Sequence, residues 1–201
     1  MRKFIMLVLS ALLLASTAVA EVDQARLTQG LDCTQQMMRN GVDTIIRMNN
    51  QPYIGTADAA DCELVAYVDY ADMPNMNGVF VRLMVSLITP EALYATEMTV
   101  ACADGAWTFE VWPEVDEYDT TYYEDYAVCL SDEGMALLKA LARGKGEATI
   151  TLRDEERAIS GTVPLPKEDM ADLYDRFQAA GGLEQDFTHV REAWPVQKEG
   201  R

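Results

Sequence analysis

Val79-Phe80-Val81-Arg82-Leu83-Met84-Val85-Ser86-Leu87-Ile88 (VFVRLMVSLI, 79–88) carries Val79, Val81, Leu83, Val85 and Leu87 at every second position. Successive side chains of a pleated chain point to opposite faces, so a period of two marks a half-buried β-strand. Thr89-Pro90-Glu91 ends it, because proline cannot donate to a strand ladder. Upstream, Cys62 to Asp69 (CELVAYVD) is rich in β-formers, and the turn-forming stretch ADMPNMNG (71–78) links it to 79–88 as a second strand.

Working outward from this pair, Tyr94–Ala103 and Ala106–Trp112 flank Asp104-Gly105, the strongest hairpin signal in the chain. Tyr122–Leu130 reads as a further strand, and residues 49–61 (NNQPYIGTADAAD) read as loop. Towards the N-terminus, Leu27, Leu31, Thr34 and Met38 follow a four-three-four spacing, which predicts a helix over 23–39. Asn40-Gly41 is its end or a tight turn, and periodicity leaves Val42–Met48 open between helix and strand. Towards the C-terminus, Ser131 can cap a helix over 132–143 whose buried stripe is Met135, Leu138 and Leu141, with Gly144 as its stop. Glu147–Arg153 and Arg157–Val163 form a hairpin around Asp154-Glu155-Glu156. Pro166 opens a last helix with Met170, Leu173, Tyr174 and Phe177 on its apolar face, stopped by Gly181-Gly182. The expected fold class is α+β: mainly antiparallel sheet, sandwich-like or single, with an N-terminal helix and two C-terminal helices.

The chain opens MRKFIMLVLSALLLASTAVA: a basic start at Arg2 and Lys3, an apolar run from Phe4 to Ala15, and small residues at Ala18 and Ala20. This is the pattern of a secretory signal peptide cut before Glu21. The expected organisation is therefore a cleaved signal at 1–20, one domain at 21–182 and a loose tail at 183–201. Localisation is expected to be secreted or periplasmic, without membrane insertion after cleavage. Loss of Arg2 and Lys3 leaves 14 basic and 33 acidic residues, a net charge of −19. Such a charge disfavours nucleic acid and anionic membranes as partners. The element order of 131–180, behind a signal peptide and four cysteines, resembles that of the invasion-associated locus B proteins of the bacterial envelope. That likeness includes no motif and assigns no residue a role.

Four cysteines, Cys33, Cys62, Cys102 and Cys129, lie beyond the signal. An even number in an oxidising compartment favours disulfides. Near-neighbour pairing (Cys33–Cys62 and Cys102–Cys129) is the expectation, although three connectivities are possible. Zinc fits poorly, since no C-x-x-C occurs and His189 is the only histidine. The same scarcity of histidine leaves no base for a Ser-His-Asp or Cys-His nucleophile. No phosphate-binding glycine motif occurs. The segment Asp69–Gly78 has oxygen ligands and the glycine of a calcium loop. Its register fails, with Met73 and Met84 at the two end ligand positions.

Two candidate sites remain. Glu110, between Trp107 and Trp112, is the residue on which a carboxylate-dependent hydrolase acting on polysaccharide would be built. The other is the stretch 110–129, EVWPEVDEYDTTYYEDYAVC, which holds six carboxylates and three tyrosines between Glu114 and Asp125. From Met48 to Leu138 the sole basic residue is Arg82, against 17 acids, so the acidity is regional. Solvation alone does not require tyrosines, which supply rigid contact area at binding surfaces. The expectation is an exported, non-catalytic binding domain. Its contact residues are Asp116, Glu117, Tyr118, Asp119, Tyr122 and Tyr123, for a basic protein partner or a cation such as calcium. The rival account places Tyr122 or Tyr123 in the core and leaves the acids on a solvated turn.

Overall fold

A computed structural model of the chain describes residues 23–27, 29, 33–39, 42–48, 52–73, 78–130 and 134–181. Among the described residues there are eleven strands: β1 (Cys33–Arg39), β2 (Val42–Met48), β3 (Tyr53–Ala57), β4 (Glu63–Met73), β5 (Gly78–Thr89), β6 (Glu97–Cys102), β7 (Gly105–Glu110), β8 (Glu114–Tyr118), β9 (Thr121–Cys129), β10 (Glu147–Arg153) and β11 (Ala158–Pro164). Two helices follow the sheet's main strands, α1 (Met135–Arg143) and α2 (Lys167–Ala179). Every strand pairing is antiparallel.

The expected α+β arrangement with an N-terminal helix is overturned. The described residues within 23–39 form one helical turn, Gln24–Leu27, and strand β1, which pairs with β2 from Cys33 opposite Met48 to Arg39 opposite Val42. The four-three-four spacing was compatible with a helix, but pairing to β2, and of β2 to β4, decides the outcome, and periodicity does not report pairing. The stretch read as loop, 49–61, contains β3. The protein is thus one antiparallel sheet with its helices at the C-terminal end.

Nine strands run in the order β7-β6-β10-β11-β3-β4-β5-β9-β8, and the β1–β2 hairpin lies off this path. The long β4 serves both: β3 pairs with its first residues (Thr56 opposite Glu63) and β2 with its last (Ile45 opposite Asp72), while β5 covers its other edge. The two ends of the path, β7 and β8, are joined by Val111-Trp112-Pro113 alone. Four residue steps of extended chain reach about 14 Å. Eight strand spacings laid flat would span about 38 Å. The sheet therefore has to curl until its ends approach, giving a half-barrel around a single core.

The inner face of that curl follows the expected alternation. Val81, Leu83, Val85 and Leu87 on β5 are fully buried, with Leu64, Ala66 and Val68 on β4 and Val100, Ile150, Leu152 and Val163 from the other side. Each Val, Leu or Ile among them contributes about 1.5–3 kcal/mol by leaving water. The helices fill the same core: α1 with Leu137, Leu138 and Leu141, α2 with Met170, Leu173 and Phe177, and Leu27 from the single turn. The Tyr53 hydroxyl on β3 donates to Asp169 of α2 at 2.9 Å, tying helix to sheet. Two glycines make the β3–β11 joint possible. A Cβ at Gly161 would lie 2.5 Å from Leu64 Cδ1 and 2.7 Å from the Thr56 carbonyl, and one at Gly55 would lie 2.7 Å from Val163 Cγ2.

Two details concern the hairpin around Asp104-Gly105 and the strand at 122–130. The β6–β7 turn is Ala103-Asp104, one residue earlier than Asp104-Gly105, so Cys102 faces Gly105 and Trp107 faces Val100. Strand 122–130 does not continue that hairpin. It is β9 and pairs with β5, Leu83 opposite Val128 and Leu87 opposite Glu124.

Candidate functional site

The acidic, tyrosine-rich stretch is not a loop but a hairpin. β8 and β9 pair from Glu114 opposite Asp125 to Tyr118 opposite Thr121, leaving Asp119-Thr120 as a two-residue turn. Asp119 adopts φ 56°, a left-handed conformation that aspartate tolerates better than most residues. β8 ends the sheet, and its charged side chains suit that place, since charge on an edge strand discourages pairing with a second copy.

Strand alternation splits the six expected contact residues between two faces. Asp116, Tyr118 and Tyr123 lie on the outer face, where Tyr118 is 71% and Tyr123 40% exposed. Their rings meet edge to face, with centroids 6.1 Å apart and planes at 87°. Glu117 and Tyr122 are cross-strand partners on the other face. The negative charge of Glu117 is the main cause of a Tyr122 phenol pKa raised above its ordinary value, followed by loss of water and by Tyr94 and Glu91. Asp119 stands at the tip, exposed. The rival expectation, a core tyrosine among this set, fails for Tyr123 and holds at most in part for the half-buried Tyr122. The core tyrosine of β9 is Tyr126, fully buried.

Sequence reading missed Glu124. It sits on β9 between Tyr122 and Tyr126 on the inner face, and it is completely buried. The backbone N–H groups of Leu93 and Tyr94 donate to its two carboxylate oxygens, the second at 2.8 Å, and the Tyr126 hydroxyl donates to Oε2. That hydroxyl in turn accepts the Ala95 N–H at 3.0 Å. Burial above all, and then the bond to Glu124, pushes the Tyr126 phenol far above its ordinary range. The signal for this cluster lay in strand parity: Glu124 shares its face with Tyr126 and Val128, which are apolar or aromatic and belong inside. On the opposite face, Ser86 donates to Asp125.

The polysaccharide-hydrolase candidate fares differently. Glu110 is exposed on β7, opposite Glu97, which is ion-paired to Arg153 at 3.8 Å. Trp107 lies an odd number of residues away and packs toward the core, so alternation separates it from Glu110; Trp112 is 55% exposed beyond the strand end. The two tryptophans therefore do not enclose Glu110, which faces solvent.

Among the described residues no group of three or more His, Cys, Asp or Glu side chains converges in metal-binding geometry. The calcium-like segment 69–78 lies partly outside the described residues, and the signal sequence 1–20 and the tail 183–201, with His189, lie wholly outside them. No disulfide joins Cys62, Cys102 and Cys129. Cys62 instead contacts the Thr89 hydroxyl at 3.5 Å. Register sets Cys33 opposite Met48, itself opposite Asp69, which is seven residues along β4 from Cys62. A shallow groove of about 310 Å³ runs past Cys102, Lys145, Glu147 and Thr149. No protein-family model matches the chain, and no curated protein or solved structure matches it.

Proposed function

We propose that this is an exported, non-catalytic binding domain, secreted or periplasmic, that uses the β8–β9 hairpin to hold a basic protein partner. The observation that carries the reading is the exposed Tyr118–Tyr123 pair, packed edge to face on the last strands of the sheet, with Asp116 on the same face, Asp119 at the tip and Glu117 on the reverse face of the same hairpin. Aromatic rings left in water on a rigid edge bind cationic side chains through their faces, and neighbouring carboxylates pair with the same cations. The uniform negative charge of the region favours a basic partner and accelerates its approach.

The test is fluorescence anisotropy of a labelled octa-arginine peptide titrated with residues 21–201. The wild-type chain should bind, more weakly as salt rises. Asp116→Asn, Glu117→Gln and Asp119→Asn together should remove most of the binding and flatten its salt dependence. Equal binding by this triple variant refutes the assignment. Heat on calcium titration that the triple variant loses replaces the basic partner with a cation.

A further inference from the structure

We infer that the partner-binding surface continues from the hairpin onto the loop Pro90–Thr96, with Tyr94 as a further aromatic anchor and the buried Glu124 as the residue that positions it. The partner it fits is a basic protein segment long enough to touch Tyr94 and the Glu117–Tyr122 side of the hairpin together. This rests on the binding reading above and adds residues that reading does not use.

Tyr94 combines two properties that packing does not explain. Its φ is 53°, a conformation costly for a bulky side chain, and it is 58% exposed, so its own burial returns little. The conformation is imposed from below. Three successive N–H groups, of Leu93, Tyr94 and Ala95, are spent on the Glu124–Tyr126 pair of β9. From the other side Arg157 donates to the Ala92 carbonyl at 2.5 Å and pairs with Glu91 at 3.2 Å. Thr96 closes the loop by donating to the Arg153 carbonyl at 2.9 Å. The main chain at Tyr94 is thereby fixed against Glu124, two residues along β9 from Tyr122 and on the same face of the strand. Two tyrosines and the Glu117 carboxylate on one rigid patch match a guanidinium or ammonium group, which stacks on a ring and pairs with the acid. A second copy of this acidic chain would meet like charge there.

The same octa-arginine titration tests the inference with three variants. Tyr94→Ser should weaken binding roughly fivefold, the loss of one exposed cation–π contact. Glu124→Gln, which keeps the side chain's size but not its charge, should weaken it by a similar factor. In the Tyr94→Ser background Glu124→Gln should cause no further loss, because it acts through Tyr94. A Glu124→Gln loss of equal size in both backgrounds overturns the positioning role. Unchanged binding by Tyr94→Ser, alongside loss in the Asp116, Glu117 and Asp119 variant, overturns this inference and leaves the hairpin reading intact. A wild-type chain that ignores the peptide overturns both.

Discussion

Tyr126→Phe removes one oxygen from the interior and nothing from the surface. That oxygen has two bonds: it donates to the Glu124 carboxylate and accepts from Ala95 N–H. A hydrogen bond to a charged group is worth about 1.5–3 kcal/mol, and a buried donor left without an acceptor costs about 1–3 kcal/mol. The benzyl ring stays in place, so little packing is lost. The expected destabilisation is about 3 kcal/mol, which for a domain of this size lowers Tm by roughly 6–12 °C. Urea unfolding followed by circular dichroism measures it, with Tyr123→Phe, 40% exposed on the same strand, as the control within about 0.5 kcal/mol. The pH dependence has a definite sign. The folded-state phenol is raised above its unfolded value, so its contribution is complete below about pH 10. It falls as pH climbs, because the unfolded chain ionises first, at up to about 1.4 kcal/mol per pH unit. Tyr126→Phe should flatten the wild-type loss above pH 10. A loss of under about 1 kcal/mol at neutral pH, or an unaltered alkaline slope, refutes the buried Glu124–Tyr126 geometry.

Gly161→Ala should destabilise by on the order of 2 kcal/mol or more, since the new methyl meets the Thr56 carbonyl and Leu64; a thermal melt within 1 °C of wild type would contradict the β3–β11 joint. Cys62 should be alkylated in denaturant without reductant. It lies four strand spacings from Cys102 along the sheet, or about 19 Å, and seven residues off the height of Cys129 (Thr89 against Arg82); any disulfide-linked peptide containing Cys62 would break the register. Exported material should begin at Glu21, and an intact mass that retains 1–20 removes the secreted or periplasmic reading.

What could be read in advance was whatever is local. The alternation of 79–88, the two hairpins and the apolar stripes of both helices depend on neighbours a few residues away, and each element is present, the first hairpin turning one residue earlier than read. Three features were illegible for physical reasons. β1 is polar and mixed (CTQQMMR), and only its partner makes it a strand. β8 is an edge strand, which needs no apolar alternation, and its carboxylates disguised it as loop. β3 is short and contains Gly55, whose use is a close approach to Val163 more than a hundred residues away. The six residues expected as contacts fall on one hairpin, and their division between two faces follows only once the register is known. Glu124 was hidden by its surroundings: among so many acids, one that points inward has no mark except parity.

The place of the β10–β11 hairpin gives the chain an order of assembly. β10 pairs with β6, Thr149 opposite Ala101, and β11 pairs with β3, Gly161 opposite Ala57. Everything synthesised before Glu147 can form only two separate sheets, one around β4, β5 and β9 and one made of β6 and β7, each with a raw edge. The last hairpin is the keystone that slots between them and satisfies both edges at once. Until it emerges from the ribosome, a growing chain carries two unpaired templates for aggregation. The slow step of refolding should accordingly be insertion of residues 147–164, a contact between distant parts of the chain.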